Sequence, residues 1–442
     1  MRRRAIVSML LVLIVLVAAT PARPAGPLAH REMLPNGIVL LVAERPGVPI
    51  VITRAYTRAG SVLDPPDKPG LANLTADLLT RGTEKRSGVE LDQTIEFVGG
   101  ALEAGAGQDG IGVSLSVLKR DFALGLDLMR EVMLAPTFPE AELQRKVSEI
   151  QAAIRRSEED PQSVAVRAVA PLVFPGHPYG RRVYGTPESV ARLTRDDVVK
   201  FYRESVRPDA TIVAVAGDVT VDEARREVLA RFGAWPRPAT PLPVIPKARP
   251  GGSPRSESIT RALSQATIMM GRQAINQTDP EYFPLAVASY ILGGGSTSRL
   301  YVRLREQGGL VYGAFGYASP GKYGSAYYVS AQTRTAEIAK VLHQIREELD
   351  RLRKEPVSAA ELQLAKDYLI GSYPFRLDTT AKVAGFIVSI EDAGLGLDYP
   401  DRYKAAVARV TAADVMRVAN RFFVPGSFDQ VVVGDVPASN GR

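Results

Sequence analysis

Nucleophiles, metal ligands and paired acids at fixed spacings are scarce in this 442-residue chain. It has no Cys, and its only His are His30, His177 and His343. A helical zinc pair needs two His four residues apart on one helix face, and neither orientation of that motif is present. Three distant His would be the remaining route to such a site. Asn73 and Asp77 lie four apart in an apolar run and so share a helix face. They offer a hard cation weak oxygen donors or, more simply, a hydrogen bond to each other. Gly293-Gly294-Gly295 lacks both the Lys-Ser/Thr of a P-loop and the spacing of a dinucleotide fingerprint. In His177-Pro178-Tyr179-Gly180 the Pro and Gly fix a turn, and the lone His reads as structural. Taken alone, Arg305 reads as half of a surface ion pair and Tyr312 as a core aromatic.

The elements that must position these residues belong to a folded chain with 45% apolar content, long enough for two or more cores. Arg2-Arg3-Arg4, the uncharged apolar stretch Ala5 to Ala19 and the small residues that follow read as a secretory signal peptide over residues 1–22. The apolar stretch is shorter than the roughly 20 residues of a membrane span. An uncleaved anchor is the alternative. Without Cys there is no disulfide framework, so the expectation is a soluble periplasmic or secreted protein with no membrane association after cleavage. Losing residues 1–22 removes three Arg and lowers the formal charge from +7 to +4. No basic run interleaved with aromatics points to nucleic acid.

An internal repeat organises the chain. Thr194, Asp197, Val198, Pro208, Gly217, Asp218 and Val219 recur without a gap as Thr411, Asp414, Val415, Pro425, Gly434, Asp435 and Val436. Leu71-Ala72 with Leu78 likewise matches Leu285-Ala286 with Leu292. The repeat predicts two copies of one domain. Each copy ends in a helix that opens at a Thr cap, stops before a Pro and passes into a β-branched strand such as Ala210 to Val215. Further strands are predicted at Ile38–Val42 and Gly112–Val117. Residues 236–257 hold the Pro-rich segment Pro236 to Pro254 and read as a semi-rigid linker between a first copy over 23–235 and a second over 258–442.

Against that frame, Gly70-Leu71-Ala72-Asn73 through Arg81-Gly82-Thr83 resembles the catalytic helix of the insulinase or pitrilysin family of zinc peptidases. The family pattern is G-L-A-H-x-x-E-H, in which the two His bind zinc and the Glu acts as base. Those places here hold Asn73, Ala76 and Asp77. The family's third ligand, a Glu on a later helix, maps to Ala153 in the stretch Ala152 to Pro161, with Glu149 one turn away and no His to join it. The resemblance therefore implies a degenerate zinc site at Asn73, Ala76, Asp77 and Ala153, and no cofactor bound by this chain.

Leu292 through Gly313 is similar to the family's C-terminal-domain motif, whose Arg and Tyr face the zinc from across the chamber. They map to Arg305 and Tyr312, a guanidinium and a phenol suited to hydrogen-bond a tetrahedral oxyanion and the substrate backbone. Val98 through Gly107 is similar to the family's edge strand, where peptide adds by backbone pairing; a plain glycine-rich hairpin edge is the alternative. The resemblance covers roughly residues 30–437. It implies an α+β fold of two homologous domains, each a mainly antiparallel sheet packed against helices, together forming half of a clamshell chamber. Some bacterial members divide the zinc motif and the Arg/Tyr pair between two subunits, and this chain has the second pattern. The implied role is a non-catalytic subunit of a periplasmic zinc metallopeptidase heterodimer, or dimer of heterodimers. It would supply Arg305 and Tyr312 in trans to a zinc-bearing homologue that cleaves peptides. The alternatives are a catalytically dead peptide-binding or scaffold protein and a peptidase with an unfamiliar metal site.

Overall fold

The computed structural model describes residues 27–436; the signal peptide read from residues 1–22 lies outside them. Two sheets form the framework. The first comprises β1 (His30–Met33), β2 (Val39–Glu44), β3 (Ile50–Thr57), β4 (Ala101–Ala106), β5 (Ile111–Leu118) and β6 (Thr211–Gly217), in spatial order β1-β2-β6-β3-β5-β4. The second comprises β7 (Ser256–Thr260), β8 (Gln265–Ala274), β9 (Val311–Ser319), β10 (Ser325–Arg334) and β11 (Asp429–Gly434), in order β7-β11-β8-β10-β9. With β1 set aside the two orders are identical. Each sheet has one parallel pair, β2 with β6 and β7 with β11, amid antiparallel neighbours. The repeat read from the sequence is thus a repeat of topology.

The first half carries helices α1 (Leu71–Leu78), α2 (Gly88–Phe97), α3 (Phe122–Leu134), α4 (Glu140–Glu159), α5 (Pro161–Val173), α6 (Pro187–Ala191), α7 (Arg195–Ser205) and α8 (Val221–Phe232). The second carries α9 (Tyr282–Gly293), α10 (Arg299–Tyr301), α11 (Ile338–Lys354), α12 (Ala359–Gly371), α13 (Thr380–Asp392), α14 (Tyr399–Arg409) and α15 (Ala412–Phe422). The Thr caps behave as expected: Thr194 and Thr411 each accept from the backbone N–H three residues on, and Asp197 and Asp414 return the bond, closing capping boxes on α7 and α15.

β2 and β6 are apolar at successive positions because both sheet faces are covered. On one face Leu40, Val42, Val213 and Val215 join a core with α1, α3, α4 and α8. On the other, Leu41, Ile212, Ala214 and Ala216 meet Val383, Ala384, Ile387 and Val388 of α13, a helix of the second half. The exchange is mutual: α5 of the first half lays Ala165, Val169, Leu172 and Val173 on Met269, Val431 and Val433 of the second sheet. Arg31 with Glu391 and Arg58 with Asp392 (2.7 Å) add polar ties between the halves.

The Pro-rich segment has no regular structure up to Pro254, as its composition predicts, but β7 begins at Ser256, inside the stretch read as linker. It is held along its length. Arg207 donates to the Thr240 carbonyl (2.7 Å), the Ala248 amide to the Tyr323 carbonyl (2.6 Å) and Gln273 to the Arg249 carbonyl (2.6 Å). Among the described residues no helix is long and apolar enough to cross a membrane.

Candidate functional site

Helix α1 is fixed at its start by two devices. Gly70 sits at φ +98°, where a Cβ would lie 2.9 Å from the Tyr184 carbonyl oxygen, so only glycine fits. The buried Asp64 carboxylate accepts from the amides of Gly70 (2.9 Å) and Ala72 (2.8 Å), satisfying two of the helix's first free N–H groups. Burial raises the Asp64 carboxyl to about 6 despite these bonds and the Arg181 charge. At the other end Arg81 ties Asp92 and the Thr80 hydroxyl together. The residues that frame the motif therefore have structural duties that need no metal.

Within that frame Asn73 is buried and Asp77 half-buried, while Ala76 turns into the hydrophobic core. Asn73 Nδ2 donates to Asp77 Oδ2 at 3.4 Å. Across from them, Ala153 on α4 lines the same cavity of about 630 Å³. Three of the four positions read as the degenerate zinc site thus meet at one cavity, and Ala76 is not part of its wall. Burial raises the Asp77 carboxyl above the usual range, opposed by Lys146. Glu149, one turn from Ala153, is held by Lys146 at 2.9 Å and by Arg145, and the Lys146 hydrogen bond keeps its carboxyl below the usual range. A zinc ion needs three strong donors converging on one point. An amide, one half-buried carboxylate, a methyl group and a carboxylate already paired with two cations do not fit it. Among the described residues no cluster of three His, Cys, Asp or Glu could hold a metal.

His177 has a structural place: its Nδ1 accepts from the Tyr179 amide (3.1 Å) and its Nε2 meets the Pro246 carbonyl (2.9 Å), pinning the Pro-rich segment.

Arg305 and Tyr312 form a second constellation. α10 runs into a π-helical turn, Val302–Gln307, of the kind found frequently at functional sites. Arg305 on that turn donates to the Tyr312 carbonyl, and its guanidinium lies 4.6 Å from the Tyr312 ring centroid and 5.6 Å from that of Tyr301. On β9, Val311 pairs with Thr333 and Gly313 with the adjacent Gln332, which leaves Tyr312 as the extra residue of a β-bulge. The bulge turns its ring outward, 77% exposed, so Tyr312 is no core aromatic. Among the described residues Arg305 makes no ion pair. Both residues line an open cavity of about 390 Å³ with Gln265, Gln332 and Arg334. No residue lines both this cavity and the one at α1, so the two constellations do not converge within one chain.

β4 is the terminal strand of its sheet, paired only with β5, and its end residues Gly105 and Ala106 reach the cavity at α1. Two features carry no signal that reading the sequence would find. One is the cationic wall of that cavity, formed by Lys146 and Arg156 of α4, Arg167 of α5 and Arg182 of the loop beyond it. The other is a cavity of about 800 Å³ between the halves, lined by Arg54, Tyr56, Asp109, Lys322 and Asp392. Beside it the Tyr179 hydroxyl donates to Asp109 (2.5 Å) and Lys322 to Asp392 (2.6 Å).

Comparison with known proteins bears on the family and the fold. The model of the insulinase family (peptidase family M16) matches residues 40–187, and the model described as the peptidase M16 inactive domain matches residues 192–369. An uncharacterized zinc protease of Streptomyces coelicolor is 30% identical over 398 residues, covering 88% of this chain and 86% of that one. A non-peptidase homolog of Helicobacter pylori is 22% identical over 388 residues, 85% and 87% of the two chains. The crystal structure of a peptidase M16 inactive domain from Pseudomonas fluorescens superposes with a TM-score of 0.87 at 24% identity, over 93% of this chain and 99% of that one. A protease of Helicobacter pylori gives 0.85 at 20% identity, over 92% and 99%.

Proposed function

The chain belongs to the insulinase family, peptidase family M16, and from that premise we propose that it is a non-catalytic subunit completing the site of a zinc-bearing homologue. One observation carries the reading: the cavity at α1 has no donor set for zinc, while Arg305 and Tyr312 are presented together on an open surface. Arg305 is pre-positioned by its bond to the Tyr312 carbonyl and still carries further N–H donors. The Tyr312 phenol, turned out by the bulge, is a second donor. Offered to a peptide carbonyl in the partner's site, the two groups would orient it and stabilise the negative charge that develops on its oxygen during hydrolysis. The two halves of the chain would then form one side of a closed chamber, in a heterodimer exported through the signal at residues 1–22.

The test is turnover of the reconstituted complex with Arg305→Ala or Tyr312→Phe in this chain. Loss of one oxyanion donor lowers kcat by about 100- to 1000-fold in other hydrolases, and losses of that order are expected here. Unchanged turnover in both variants would refute the trans role. A second reading, a peptide-binding or scaffold protein without any hydrolytic role, is favoured by the replacement of the family's residues at all four metal-site positions and by the kinship with a non-peptidase homolog.

A further inference from the structure

The cavity at α1 is cationic in a way the metal-site reading leaves unexplained. Its wall carries Lys146, Arg156, Arg167 and Arg182 against Asp77 and Glu149. Lys146 is taken up by Glu149, and Arg182 faces Glu158 at 3.6 Å. Arg156 and Arg167 make no ion pair among the described residues. Arg167 donates only to Ser157, through its hydroxyl and its carbonyl (3.1 Å), and its Nε is buried with no acceptor. Burial, reinforced by the positive charge of Arg182 and opposed by Glu158 and Asp160, lowers the Arg167 pKa. A guanidinium in that state, facing a cavity whose wall carries three further cations, is stabilised by an anion that supplies the missing acceptor.

The nature of the anion follows from β4. Gly105 and Ala106 at its C-terminal end line the same cavity, and its outer edge has no partner strand. An extended peptide hydrogen-bonded along that edge is guided toward the cations. We infer that this cavity is a carboxylate subsite, in which Arg156 and Arg167 take an anionic group of a peptide laid along β4. A strand parallel to β4 brings its terminal carboxylate there; an antiparallel strand brings an Asp or Glu side chain. The site belongs to this chain alone and does not depend on a zinc-bearing partner.

The experiment uses the purified chain without any partner and reads fluorescence anisotropy of three labelled peptides of one sequence. The first has a free C-terminal carboxylate and no acidic residue, the second is amidated, and the third is amidated with one internal Glu. At least one carboxylate-bearing peptide is expected to bind about tenfold or more tightly than the neutral amide. Preference for the free C-terminus identifies a strand parallel to β4, and preference for the internal Glu identifies a side-chain carboxylate as the group bound. Arg156→Gln, at an exposed position without partners, should erase most of that preference while leaving the unfolding midpoint unchanged. Arg167→Gln should erase it as well, with some loss of stability through Ser157. Equal affinity for all three peptides, absence of binding, or a preference that survives both substitutions would overturn the assignment. Because no turnover is measured, failure here leaves the trans role of Arg305 and Tyr312 standing, and the reverse.

Discussion

Replacing Gly293 by Ala adds one methyl group where helix α9 ends against strand β9. A Cβ on Gly293 would lie 2.6 Å from Gly316 Cα and nearer still to its amide nitrogen, and these are backbone atoms that no side-chain rotation can clear. Carbon atoms pack comfortably at about 3.5–4.0 Å, so helix and strand must part by roughly 1 Å. Overpacking of this kind costs about 1–3 kcal/mol. The displaced strand is the one that carries Tyr312, so the damage reaches the Arg305 pair. The neighbouring Gly295 provides the control: a Cβ there meets only the Tyr290 ring end, at 3.6 Å or beyond. Urea unfolding should place Gly293→Ala below wild type by that amount and Gly295→Ala close to it. Amide exchange over Phe315 to Ala318 should quicken in the first variant only. Equal midpoints for the two variants would refute the claim that the close approach of α9 dictates glycine there.

Two further outcomes follow from the packing and the buried carboxyl. Ile387→Ala removes a fully buried side chain from the face where α13 covers the first sheet, and should cost about 2–5 kcal/mol as one transition spanning both halves; a separate early transition confined to the second half would contradict the reciprocal clasp. Asp64 has its carboxyl raised to about 6 in the fold, above the ordinary value near 4, so its protonation favours the folded state. That contribution is complete below about pH 4 and lost as pH rises through about 6, and it amounts to at most about 3 kcal/mol. Wild type should therefore lose stability relative to Asp64→Asn between those values; parallel pH profiles in urea unfolding would rule it out.

The local grammar was legible because it is enforced locally. Thr194 and Thr411 announced helix starts through capping boxes, and period-two alternation over Gly112–Val117 marked a strand with one buried face. The repeat foretold two like sheets, and the motif positions Asn73, Asp77 and Ala153 meet at one cavity while Arg305 and Tyr312 meet at another. The rest depends on contacts between segments far apart in the chain. That α5 and α13 cross to cover each other's sheets is invisible in their sequences, which show only apolar helices. The cationic wall gathers Arg156, Arg167 and Arg182 from three separate segments. Taken without the family resemblance, Tyr312 reads as a core aromatic, because a one-residue bulge, which no residue type announces, decides the face it takes. The triple glycine reads only as lacking the marks of a phosphate site, and the duty of Gly293 appears when β9 is laid against it.

The central claim is that this chain completes another subunit's site. It is tested most directly by measuring cleavage of a mixed quenched-peptide library by the purified chain alone, by a zinc-motif homologue from the same organism alone, and by the two together, each with and without chelator. Chelator-sensitive cleavage that appears only in the mixture is the predicted result. A mixture no more active than the homologue alone would contradict the account and leave the chain as a binding or scaffold protein.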